Sequence, residues 1–182
     1  MSNDDGVPKD LLERVKKDQG VLSRIASIFP GYRGYKKKEQ LRGTDDIIRR
    51  GTFRVLQEAS SNLRESYRRA VRYSLMDEAR EIESLYLLCD SLAQSILHAP
   101  RGYKPIAGTT SVKEDDLNKL LEFDASLADI VETIKEKTGE VHTAILQKDI
   151  DGLSSAISTL RVKLDELETL MRRRDALLDG IM

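Results

Sequence analysis

Between residues 75 and 178 the apolar side chains recur at alternating steps of four and three. No other pattern restricts the possible folds as much. Leu75, Ala79, Ile82, Tyr86, Cys89, Ala93 and Ile96 form one run. Leu120, Leu127, Val131, Ile134, Val141 and Ile145 keep the same register in a second. Leu153, Ile157, Leu160, Leu164, Leu167, Met171 and Leu178 form a third, regular apart from Arg174. Steps of four and three hold side chains on one face of an α-helix, so each run predicts a helix with one apolar seam. The second passes through Gly139, and one helix is expected over 112–147. Ser111 followed by Glu114 reads as a capping box at its start. The short Asp149–Gly152 connection makes 112–180 an antiparallel coiled-coil hairpin.

The first part of the chain reads as helix too. Pro8 suits a first helical turn. Leu11, Val15, Leu22, Ile25 and Phe29 make one stripe, predicting a helix over 8–28 that Pro30 and Gly31 stop. Thr44, with Asp45 and Asp46 behind it, reads as the start of the next helix. Its stripe is Ile48, Val55, Ala59, Leu63, Tyr67 and Ala70, with Arg49 and most other arginines off it. Unbroken helix from 44 to 98 would be ~80 Å long, too long for a compact domain of this size. A tight break is therefore expected at Ser74–Asp77, where Ser74 and Asp77 are capping types. The expected architecture is all-α: one helical domain over 1–182, an elongated bundle of about five helices, with hairpins at 44–98 and 112–180.

Charge is spread unevenly. Residues 32–73 carry 12 basic and 5 acidic side chains, whereas 74–182 carry 13 basic and 21 acidic. Such asymmetry fits either an anionic partner or pairing of a basic helix with acidic ones inside the bundle; the second is the preferred reading. Cys89, the only cysteine, excludes an internal disulfide and reads as a small apolar residue on a helix face. The N-terminus lacks the basic and apolar regions of a signal peptide, and no apolar stretch approaches membrane-spanning length. A cytoplasmic protein is expected.

Two Gly-Tyr segments bracket the central helices. The first is Pro30-Gly31-Tyr32-Arg33-Gly34-Tyr35-Lys36-Lys37-Lys38, and the second Pro100-Arg101-Gly102-Tyr103-Lys104-Pro105. If the helices between them run out and back, both segments share one pole. Tyr32, Arg33, Tyr35, Lys36, Lys37, Lys38, Arg101, Tyr103 and Lys104 are then the candidate partner- or anion-binding residues. Alternatively, the tyrosines plug the end of the bundle and the glycines permit tight turns. The first segment, followed by Glu39-Gln40-Leu41-Arg42, Leu75-Met76-Asp77, Arg101-Gly102-Tyr103, Val112-Lys113-Glu114-Asp115-Asp116-Leu117 and Glu122-Phe123-Asp124, resembles an uncharacterised family of small all-helical prokaryotic proteins with a PGYxGYK motif. The resemblance covers roughly residues 25–180. It implies the helical fold and the break near residue 75, and no mechanism. The Gly102-Tyr103-Lys104-Pro105-Ile106 segment departs from the family pattern.

The chemistry of common enzymes is not written here. His98 and His142 lack a glutamate three residues earlier, as a helical di-iron site requires, and no Walker loop occurs. His98 suits a helix end. No catalytic residue, metal or cofactor is expected. The expected function is a non-catalytic helical protein-interaction module, an adaptor or scaffold, with self-association through the apolar seams as one route. The alternative is a polyanion binder, for nucleic acid or an anionic membrane surface, using residues 32–73 and the Gly-Tyr loops.

Overall fold

The computed structural model describes residues 9–35, 38–99 and 113–181. Among these residues the chain forms five α-helices and no strand. They are α1 (Lys9–Ile28), α2 (Lys38–Arg72), α3 (Met76–His98), α4 (Glu114–Gln147) and α5 (Ile150–Ile181). Helices α2 and α3 pack as one hairpin and α4 and α5 as another; α2 also lies on α4, and α3 on α5. The four therefore close a bundle in the cyclic order α2–α3–α5–α4. Helix α1 packs along α4 on the outside.

The 4–3 seams point inward. Ile82, Cys89 and Ile96 of α3, Leu127, Ile134, Val141 and Ile145 of α4, and Leu153, Leu160, Leu164 and Leu167 of α5 are all buried in one core. Tyr86 is only partly covered, and Leu85 and Leu92 lie in the core beside it. Burial pushes the Cys89 thiol up to about 12, so it stays protonated and unreactive. Ile25 of α1 and Phe29 just beyond its end join the same core. Gly51 makes room for the Phe29 ring: a Cβ there would lie 2.4 Å from its Cδ1.

Several boundaries differ from expectation. Helix α2 begins at Lys38, not at Thr44, because Leu41 anchors an additional turn: it is fully buried. Thr44 is inside the helix, and its hydroxyl lies 3.5 Å from the Gly34 carbonyl. Asp45, expected as a first-turn partner of the helix dipole, and Arg49, expected off the apolar stripe, are both buried. Leu56 is in the core and Val55 only packs against it. Helix α4 starts at Glu114 from an N-cap position at Lys113 that makes no side-chain capping bond. Ser111, the expected cap, lies outside the described residues. The second turn is only Lys148–Asp149: Gly152 is already helical, and its N–H donates to the Asp149 carboxylate at 3.0 Å.

The expected break near residue 75 is present, and both hairpins turn the same way. Ser74 and Lys148 adopt left-handed backbone, with φ of 60° and 56°. The Leu75 N–H reaches back to the Ala70 carbonyl at 2.9 Å, and that of Ser74 to Val71 at 3.0 Å. The Asp149 N–H similarly reaches Ala144 at 2.9 Å, and that of Lys148 reaches Ile145 at 3.2 Å. Both are Schellman closures, a position that favours glycine. The Lys148 ammonium sits 5.2 Å from the centre of the Tyr73 ring, so the two turns share one pole. A side chain in left-handed backbone costs about 1–2 kcal/mol. Ser74→Gly is therefore expected to raise the melting temperature by ~2–4 °C; an unchanged or lower value would show that Ser74 carries no such strain.

Candidate functional site

At the opposite pole the seams turn polar for one layer. Three charged side chains occupy inward positions: Asp45 on α2, Asp124 on α4 and Arg174 on α5. One step deeper lie Ile48, Leu127 and Met171. One step outward, Leu41, Leu120 and Leu178 form a separate buried cluster against Tyr35. The charged layer is thus sealed between two apolar ones, and both Asp124 and Arg174 are 0% exposed.

A buried guanidinium persists only when its donors are satisfied and its charge is paired. Arg174 meets both conditions. Its Nε donates to Asp124 at 2.7 Å, Nη1 to Asp45 at 2.5 Å, and Nη2 to the Tyr35 hydroxyl at 3.0 Å. The remaining Asp124 oxygen accepts from the hydroxyls of Tyr32 at 2.8 Å and Tyr35 at 2.5 Å. Arg49 extends the network. Its Nε donates to both Asp45 oxygens, Nη2 to Asp175 at 2.5 Å, and Nη1 to the Ile96 carbonyl at 3.1 Å. That last bond satisfies a carbonyl in the final turn of α3, which the helix itself leaves unpaired. The first Gly-Tyr segment and helices α2, α3, α4 and α5 therefore meet in one network.

Gly31 and Gly34 have φ of 94° and 73°, backbone that a side chain would strain. They turn Tyr32 and Tyr35 inward, ring edge to ring face at 6.2 Å. Burial, first, and then the Asp124 charge hold the Tyr32 hydroxyl far above its ordinary pKa of 10.0. Burial does the same for Tyr35, with Arg174 opposing and Asp124 adding. Burial pulls Arg174 down, but Asp124, Tyr35 and Asp45 outweigh it and hold it above the ordinary arginine value. Burial lifts the Asp175 carboxyl against the opposing pull of Arg49.

A raised phenol pKa stabilises the fold at all pH values below that of the unfolded chain, near 10. Above that pH the unfolded tyrosines ionise while the folded ones do not. Stability is expected to fall by about 1.4 kcal/mol per pH unit for each such tyrosine. Replacing Tyr32 and Tyr35 by Phe should flatten the dependence of stability on pH between 9.5 and 11. An unchanged slope would mean that neither hydroxyl is shielded.

Of the residues expected to bind a partner or anion, Tyr32 is buried, Tyr35 is partly buried and Arg33 is exposed. Lys36, Lys37, Arg101, Tyr103 and Lys104 lie outside the described residues. So does the side chain of Lys38, and with them the expected approach of Tyr103 to Tyr32 or Tyr35. Asp45, Arg49, Asp124 and Asp175, which hold the network, were not among the expected site residues. The cations of α2 are largely paired: Arg49 with Asp45 and Asp175, Arg50 with Asp46, Arg64 with Asp90, and Arg68 and Arg69 with Glu65.

The outer grooves differ. Helix α1 occupies the one bordered by α2 and α4, where Phe29 meets Gly51 and Arg24 pairs with Asp129. The outer α2–α3 groove is polar, lined by Gln57, Ser60, Ser61, Arg64, Asp90 and Gln94. The outer α4–α5 groove encloses about 470 Å³ and has Ile130, Val162 and Leu170 among its lining residues. It continues past Leu170 and Arg173 to Phe123, whose ring lies 5.8 Å from the Arg173 guanidinium carbon. Val162 is 51% exposed. Among the described residues no helix is long and apolar enough to cross a membrane. No family model, curated protein or solved structure matches this chain.

Proposed function

We propose that the chain is a non-catalytic helical protein-interaction module and that it docks through the outer groove between α4 and α5. The observation that carries this reading is the division of chemistry between inside and outside. The charged centre of the most elaborate polar constellation, Arg174 with Asp124 and Asp45, is buried, where it serves to hold the fold. The α4–α5 groove instead presents apolar side chains to solvent between charged rims, the composition of a docking face. The polyanion alternative is the weaker reading, because five of the α2 arginines already have carboxylate partners. Such a binder would lose affinity steeply with salt. The apolar seams that would have offered another route to association are used up inside the bundle.

The test is a photoreactive side chain at position 169, on the exposed rim of this groove, activated in living cells. The expected result is a covalent protein adduct that Val162→Glu suppresses without lowering the melting temperature. If position 169 yields no protein adduct, this reading of the groove is wrong.

A further inference from the structure

We infer that the occupant of the α4–α5 groove is a second copy of this chain, packed antiparallel about a two-fold axis. The inference rests on the docking role proposed for this groove and identifies its partner. It comes from how charge and apolar side chains are spaced along the hairpin. The Asp124–Arg174 pair fixes which residues of the two antiparallel helices lie at the same height. Counted from that pair toward the turns, Arg173 stands at about 1.5 Å, Leu170 at about 6 Å, Ile130 at about 9 Å, and Glu166 and Asp165 at about 12–14 Å. Arg173 and the acidic pair thus share a midpoint near 7 Å with Leu170 and Ile130.

An isologous contact requires a face that complements itself under a half-turn. A two-fold axis crossing the hairpin at that height places Arg173 of each copy over Glu166 and Asp165 of the other. It gathers Leu170 and Ile130 of both copies around the axis. Arg173 and Asp165 form no ion pair within the chain among the described residues, and there Glu166 pairs only with half-buried Lys163. Among the described residues the groove therefore carries one charge of each sign without an ion-pair partner, Arg173 resting only against the Phe123 ring, at matched distances from a shared apolar centre. The area is sufficient as well. Helices of 34 and 32 residues are each ~50 Å long. Side by side they present a face about 20 Å wide. The axis lies near the middle of both helices, so an overlap of about 40 Å gives roughly the 800 Å² per copy of a stable interface.

Sedimentation equilibrium of the full chain, with cross-linking from position 169, tests the inference. The expected outcome is a dimer and an adduct of the chain with itself. Arg173→Glu should raise the dissociation constant at least about ten-fold, and Asp165→Arg with Glu166→Arg should do the same. All three substitutions together should bring it back toward the native value, because the charges are then exchanged and not lost. The three side chains are exposed, so the melting temperature should hold in each variant. A monomer at all concentrations up to about 100 μM, or a triple variant as weak as the single one, overturns the inference. An adduct with a different protein also overturns it, while leaving the interaction-module reading intact; absence of any adduct removes both.

Discussion

Asp124→Ala is expected to destabilise the protein by about 3–5 kcal/mol, the cost of removing one partner from a buried ion pair. The carboxylate accepts from Arg174 and from both tyrosine hydroxyls. Deleting it leaves a guanidinium with no exposure to water to share Asp45 with Arg49 as its one remaining carboxylate, and the loss should be nearly independent of salt because ions cannot screen a sealed pair. Urea denaturation with an unchanged m-value would isolate the effect. The pair itself need not be a net source of stability, since charges taken from water repay their desolvation poorly. Asp124→Leu combined with Arg174→Met should accordingly recover a large part of the loss. Arg49 still neutralises Asp45 in that variant. A single variant costing less than about 1 kcal/mol would mean that water reaches the layer after all.

Phe29→Ala should cost about 3–5 kcal/mol, but the damage should be local. Phe29 is fully buried, and its ring fills the space left by the absent side chain of Gly51. Directly after the last residue of α1, it is the largest apolar side chain that residues 19–35 are shown to insert into the core. Its removal should undock α1 while leaving the two hairpins paired. Hydrogen exchange should then show protection lost over residues 19–35 and kept in α3 and α5. Gly51→Val offers the converse test, because the added methyls need the volume that the ring holds. If α1 stays protected in both variants, Phe29 is not what docks it.

The helical architecture was legible because it rests on periodicity, and periodicity survives in a single sequence. The inward seams of α3, α4 and α5 follow directly from the 4–3 spacing of Ile82, Leu127, Leu160 and their neighbours. The break near Ser74 follows from helix length, with the capping types Ser74 and Asp77 marking its place, but its chemistry differs: Ser74 takes left-handed backbone instead of capping α3. The charged layer was missed because a buried arginine or aspartate is spelled like a solvated one. In the sequence Arg174 is only an irregularity in the third apolar run. The available signal was that Asp124 fills the empty slot between Leu120 and Leu127, in the same seam register. Two opposite charges in the facing seams of one short-turn hairpin, at matched distances from its turn, predict a buried pair. Asp45 reads as a first-turn residue only if the helix starts at Thr44, whereas α2 starts at Lys38; Arg49, beside the stripe residue Ile48, carries no sign of burial in the sequence. In the first Gly-Tyr segment Tyr32 is buried and Tyr35 partly buried, while Tyr103 of the second lies outside the described residues.

The buried layer also bears on how quickly the fold is made and lost. Arg174 bonds to residues 50, 129 and 139 positions away, whereas each hairpin closes through a turn of a few residues. Short-range closure is fast, and long-range closure waits until its elements have already met. The hairpins can therefore form early, while the layer that ties α2, α4, α5 and the tyrosine segment completes near the end. Interactions made after the barrier act on the escape rate and barely on the rate of assembly. Disturbing Arg174 or Asp124 should leave refolding close to native speed while the native state is lost much faster. The layer then works as a time lock, setting the lifetime of the folded molecule more than the speed of its formation.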